Sequence, residues 1–353
     1  MLVIDYRLGG KPRYILKTAR SRDMLVPADI RKCVAFICYR DHQQMIKFAG
    51  TAFFVSRQSQ DESTYRFVYI VTAKHVIQEI EQHSVDSSVV LRLNTKAGSY
   101  QEIDTDSRDW LFHETEPAFD VAILNWAPPS NEIDYLHFPL EAAATDEIIF
   151  NEEIGLGDEV FLAGLFTKHY GKHNNIPIVR VGNIAAMPEE PVKTKMGLMD
   201  AYLIEARSIG GLSGSPVFVH LGPIRTSWDK EKETKIKGDK FFLLGLVHGH
   251  WDVPFDEQMD VGGDKVGEDK INMGIAVVVP VSKIIEVIDH PKFKEIRERV
   301  EEKRRKESLP TPDNAHNEKP FTRDNFLSDL KKASRRVADD RSDRRPGKPE
   351  KAK

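Results

Sequence analysis

Two cysteines in 353 residues leave no material for a disulfide framework. Cys33 and Cys38 share the apolar run Cys33-Val34-Ala35-Phe36-Ile37-Cys38. Five positions apart on a strand they point to opposite faces, so no bridge between them is expected. Such sparse cysteine suits a reducing compartment, and the expected location is the cytoplasm. No apolar run approaches the ~18–20 residues that a membrane helix needs. The start, Met1-Leu2-Val3-Ile4-Asp5-Tyr6-Arg7, has no basic region followed by an apolar stretch, so a secretory signal is not expected. Neither a dinucleotide fingerprint nor a phosphate loop with its lysine is present, and no cofactor is expected. His169-Tyr170-Gly171-Lys172-His173 and His248-Gly249-His250 join no cysteine pair and no His-Glu-x-x-His helix. They are expected to be loop or surface histidines, with no metal bound. The acidic run 252–270 lacks calcium-loop spacing and reads as a solvated loop.

Charge divides the chain. Residues 293–353 hold 19 Lys/Arg against 13 Asp/Glu, so the whole-chain net of −4 leaves the first 292 residues at −10. The interspersed acids in that tail weaken any phosphate-tracking surface, so a solvated tail is expected and nucleic acid is not an expected partner. A protein partner for the tail is the remaining expectation. Before it, short β-rich runs recur at 33–39, 50–56, 66–72, 88–93, 119–125, 158–165, 177–186, 200–206, 216–220, 241–247 and 273–279. Helical patterns lie at 75–82 and 281–290, at the start of the tail and at 321–330. Many short strands separated by turns predict an all-β barrel or sandwich rather than a parallel sheet.

Three segments carry chemistry. Gly210-Gly211-Leu212-Ser213-Gly214-Ser215-Pro216 sets a serine between glycines, ahead of Val217-Phe218-Val219. Thr72-Ala73-Lys74-His75-Val76 follows the strand-like Phe67-Val68-Tyr69-Ile70-Val71. Phe119-Asp120-Val121-Ala122-Ile123-Leu124 places a carboxylate at the head of an apolar strand. Each alone has a plain reading: a Gly-Ser turn, a histidine opening a helix, a strand-edge aspartate. In this order they offer a nucleophile, a base and an orienting group. A serine hydroxyl attacks only when a neighbouring base takes its proton, and histidine titrates near neutral pH. An aspartate would hold the imidazole in the useful tautomer.

The order His75, Asp120, Ser213 resembles the triad of chymotrypsin-like serine peptidases and differs from that of subtilisins and α/β-hydrolases. The resemblance covers most of residues 33–290. Gly50-Thr51-Ala52-Phe53-Phe54-Val55 is similar to their strand ahead of the histidine, and 157–164 to the strand opening their second barrel. Gly245-Leu246-Val247-His248-Gly249 resembles the pocket strand, and 274–280 the last strand before the terminal helix. Two packed six-stranded antiparallel β-barrels with a C-terminal helix and a charged tail are thereby implied. The implied domains are an extension at 1–32, a peptidase domain at 33–292 with barrels at about 33–126 and 157–280, and the tail at 293–353. Leu212 stands where enzymes activated by N-terminal cleavage carry an aspartate, so a chain active as synthesised is expected.

By this resemblance the Gly211 and Ser213 amides form the oxyanion hole, donors worth about 3–4 kcal/mol each. Arg207, Val247, His248 and Gly249 would contact the substrate. The nucleophile turn is most like that of bacterial glutamyl endopeptidases, and a cation at Arg207 with a donor at His248 would favour an acidic residue before the scissile bond. The acidic run 252–270 argues in the opposite direction. The expected function is a serine endopeptidase acting on proteins or peptides. The alternative is a catalytically silent trypsin-like fold that serves as a binding module.

Overall fold

Val34–Arg40 (β1), Ile46–Gln58 (β2) and Arg66–Thr72 (β3) form the centre of the first sheet. Their β-branched and aromatic residues suit a strand covered on both faces, and Phe67 through Thr72 are all buried. The computed structural model describes residues 26, 28–62, 64–113, 116–194, 196–206, 211–222, 240–254 and 270–308, with backbone segments 3–5, 13–15, 224–225 and 235–236. Arg207, Gly210, residues 255–269 and the tail after Ser308 lie outside the described residues, as does most of the 1–32 extension. The chain divides into two units, Met1–Arg297 and Glu298–Lys353.

β3 runs directly into α1 (Lys74–His83), whose Val76, Ile77 and Ile80 are buried. Ser88–Asn94 (β4) pairs with β1, and Tyr100–Asp106 (β5) lies outside β4. On the other side Ala122–Leu124 (β7) pairs with β3, and Leu111–Phe112 (β6) with β7. Phe138–Pro139 (β8) joins β2 in parallel. The result is one eight-stranded sheet, ordered β5-β4-β1-β2-β3-β7-β6 with β8 on β2, where six strands were expected. The extra strands carry weak sequence signals. β5 reads Tyr-Gln-Glu-Ile-Asp-Thr-Asp with no buried residue, and β8 is two residues long.

The second half closes. Glu159–Gly164 (β9), Ile178–Ala186 (β10), Tyr202–Glu205 (β11), Pro216–Leu221 (β12), Lys240–Pro254 (β13) and Lys270–Pro280 (β14) form a six-strand antiparallel barrel. Alternate residues fill it: Val160 and Leu162 on β9, Tyr202 and Ile204 on β11, Val217, Val219 and Leu221 on β12, Ala276 and Val278 on β14. The connector between the halves contains a helix the sequence reading lacked, α2 (Asp146–Glu152), capped by Thr145 Oγ1.

After β14 come α3 (Val281–Ile288) and α4 (Pro291–Ser308). Phe293 of α4 packs against Tyr69, and Arg297 donates to the Tyr69 hydroxyl and to Ile288 O, both at 2.8 Å. No described helix is long and apolar enough to cross a membrane. Cys33 ends a short 3-10 helix and Cys38 lies in β1; both are buried free thiols. Burial pushes the Cys33 thiol up to about 12 and the Cys38 thiol up as well.

Candidate active site

Strand register sets the first two residues together. β3 pairs antiparallel with β7 through Thr72↔Ala122, so continuing past Thr72 and back before Ala122 brings His75 and Asp120 to one place. The His75 Nδ1 stands 2.5 Å from Asp120 Oδ2, and its backbone N–H donates to Oδ1 at 2.8 Å. Ala73, at the N-cap of α1, offers no side-chain cap. Asp120 therefore caps the helix from across the sheet, where the helix dipole also favours a negative charge. Its side chain is fully buried, which alone would raise its carboxyl; hydrogen bonds from His248 and His75 outweigh this and hold it below the usual carboxylate range.

The serine turn comes from the barrel. Gly211 and Gly214 have φ of 97° and 81°, conformations that side chains rarely adopt. Ser215 N donates to Leu212 O at 2.9 Å, and Gly214 N donates to Val247 O at 2.8 Å. A Cβ on Gly214 would stand 2.2 Å from Thr51 O, 2.4 Å from Thr72 Oγ1 and 3.0 Å from Ala73 N. The turn thus seats on the junction between β3 and α1, two residues ahead of His75. Among the described residues, the Gly211 and Ser213 amides have no acceptor.

Thr51 ties this turn to the first sheet. It is fully buried, and its N–H donates to Ser213 O at 2.9 Å. Its Oγ1 donates to Gly211 O at 2.7 Å and accepts from Leu165 N at 2.9 Å. Its carbonyl accepts from Thr72 Oγ1 at 2.7 Å. Thr51→Val keeps the shape and leaves a buried N–H and C=O without partners, which costs about 1–3 kcal/mol each at most. Chemical denaturation is expected to show a loss on that scale, recovered in Thr51→Ser. An unchanged midpoint in Thr51→Val would show that the strap contributes nothing.

The expected pocket residues separate. Val247 is fully buried in the barrel core; its N–H donates to Ser215 O at 2.9 Å and its carbonyl accepts from Gly214 N at 2.8 Å. Gly249 is half-buried, and a Cβ there would meet nothing within 4 Å among the described residues. His248, expected as a pocket donor, has its Nδ1 2.6 Å from Asp120 Oδ2. The register explains this. Pro216↔Leu246 pairing, carried two residues further, sets His248 opposite Gly214. Arg207 is outside the described residues.

Among the described residues, two groups present three ligand atoms within 4.8 Å of one another: His75, Asp120 and His248, and His113, Glu116 and Glu286. Neither is arranged for a metal. In the first, ring nitrogens lie 2.5 and 2.6 Å from the carboxylate oxygen, closer than the ~3.3 Å between tetrahedral zinc ligands at ~2.0–2.1 Å bond lengths. In the second, Lys283 Nζ already supplies the cation, 3.2 Å from Glu116 and 3.1 Å from Glu286.

A mainly antiparallel sheet bearing the histidine and aspartate, then a closed six-strand antiparallel barrel bearing the serine, is consistent with a two-barrel chymotrypsin-like fold. No family model matches the sequence, and no curated protein matches it. Among solved structures, the MamO protease domain from Magnetospirillum magneticum is similar over 73% of this chain and 97% of its own, at 12% identity and a TM-score of 0.42. Rv3671c from M. tuberculosis H37Rv is similar over 73% and 86%, at 18% identity and a TM-score of 0.37. The thermostable serine protease AL20 from an extremophilic microorganism is similar over 73% and 95%, at 10% identity and a TM-score of 0.39. Likeness at this level says nothing about the chemistry of this chain.

Proposed function

We propose that the protein is a serine endopeptidase with Ser213 as nucleophile, His75 as general base and Asp120 as the group that orients it. The observation that carries this reading is the contact of the buried Asp120 carboxylate with His75 Nδ1 at 2.5 Å. An ionised carboxylate can only accept, so His75 must present Nδ1–H to it. That tautomer leaves the other ring nitrogen unprotonated, ready to take the Ser213 proton as Oγ attacks the peptide carbonyl. The two unmatched amides at Gly211 and Ser213 suit the oxyanion that develops. Collapse of the tetrahedral intermediate expels the amine, which His75 protonates. Water then repeats the sequence on the acyl-enzyme.

For specificity, the proposal is an acidic residue before the scissile bond. It rests on Arg207, since His248 has its Nδ1–H engaged elsewhere. The cytoplasm remains the proposed location, on the two free cysteines. A randomised peptide library tests both activity and preference. Wild type should cleave after Glu or Asp, with that preference weakened about 10–100-fold in Arg207→Ala, the scale of a charge-assisted hydrogen bond. Cleavage after Lys, Arg or bulky apolar residues would sink the acidic preference alone. No cleavage of any peptide would count against the endopeptidase.

A further inference from the structure

Asp120 accepts three hydrogen bonds, two of them from His75. The third comes from His248, whose Nδ1 lies 2.6 Å from Oδ2, the same oxygen that His75 Nδ1 approaches to 2.5 Å. The two rings meet edge to face, with centroids 5.6 Å apart and planes at 80°. Because the carboxylate is ionised, both rings must present N–H to it. His248 also belongs to the strand that clamps the serine turn, since Val247 O accepts from Gly214 N at 2.8 Å. One side chain therefore links the backbone support of Ser213 to the group that orients His75.

We propose that His248 is a positioning residue for the His75–Asp120 pair, an inference that rests on the peptidase assignment above. Its ring anchors Oδ2 independently of His75, so the carboxylate keeps its place when the His75 ring moves during proton transfer.

The test has two arms. His248→Phe, with no donor, should lose about 10–100-fold in kcat with little change in KM, and His248→Gln, which retains a donor, should recover most of that. The second arm needs no turnover. In the Ser213→Ala protein, proton NMR should show two strongly downfield ring N–H resonances, one of which disappears in His248→Phe. A single resonance that survives His248→Phe, or a kcat unchanged in that variant, would overturn the proposal. Two resonances in a protein without peptidase activity would support the shared carboxylate and overturn the peptidase reading.

Discussion

Ser213→Ala is expected to lower kcat by about six orders of magnitude, and His75→Ala by nearly as much. The reason is that neither group does anything useful alone. Without His75 the Ser213 hydroxyl keeps its proton during attack, and without Ser213 the base has no nucleophile to activate. The double variant should therefore be hardly worse than either single one, the signature of groups acting as a unit. Residual cleavage above the uncatalysed rate should persist through substrate binding and the Gly211 and Ser213 amides. Steady-state kinetics on one good peptide checks this. Losses that multiply in the double variant would mean that the two residues act independently.

The second large effect is expected at Asp120. Asp120→Asn should cost about four orders of magnitude in kcat, the scale known for this change in a serine-protease triad. The amide can turn its NH2 toward the rings, which forces both histidines into the other tautomer. Turned the other way, it sets NH2 against the His75 N–H that Oδ1 now accepts at 2.8 Å. In neither position does it return the negative charge that stabilises the imidazolium. Stability should fall too, with a definite pH dependence. Asp120 has a carboxyl held below its ordinary value in the folded chain, and an unfolded aspartate titrates near about 3.9. Its contribution is thus fully present above the unfolded value and is lost as pH falls toward the folded one. The gap in unfolding free energy between wild type and Asp120→Asn should hold at neutral pH and close only below about pH 4. A gap that closes already between pH 8 and 6 would assign the effect to another group.

Much of this site is legible in the sequence because its parts are local. A serine between glycines that need positive φ, a histidine just past an apolar strand and an aspartate just before one are patterns within a few residues each. The joint position of His75 and Asp120 follows from one pairing, Thr72↔Ala122. What escaped depends on contacts remote in sequence. Thr51 reads as one more small residue on a strand, and only folding sets its hydroxyl between Gly211 O and Leu165 N. His248 lies 128 positions from Asp120, and spacing alone supplies no direction for its ring. A β-bulge between Val217 and Phe218 adds a residue to β13, which shifts the alternation that a simple period of two would use to orient it. At the level of the fold, β5 went unseen because an outer strand may be polar on both faces, and α2 because none of its residues is buried. The eight-stranded first sheet follows from such weak strands, whereas the second barrel, with its regular apolar alternation, could be counted.

The most direct test of the central claim is covalent. A fluorophosphonate reacts with a serine hydroxyl only where a base activates it and an oxyanion site receives the phosphoryl oxygen, so it reports the assembled site without knowledge of the substrate. Native protein should acquire one adduct, mapped by mass spectrometry of its peptides to Ser213. Labelling should be absent in Ser213→Ala and strongly slowed in His75→Ala. A native protein that stays unlabelled, or one labelled at a serine other than Ser213, would contradict the assignment of this turn as the nucleophile.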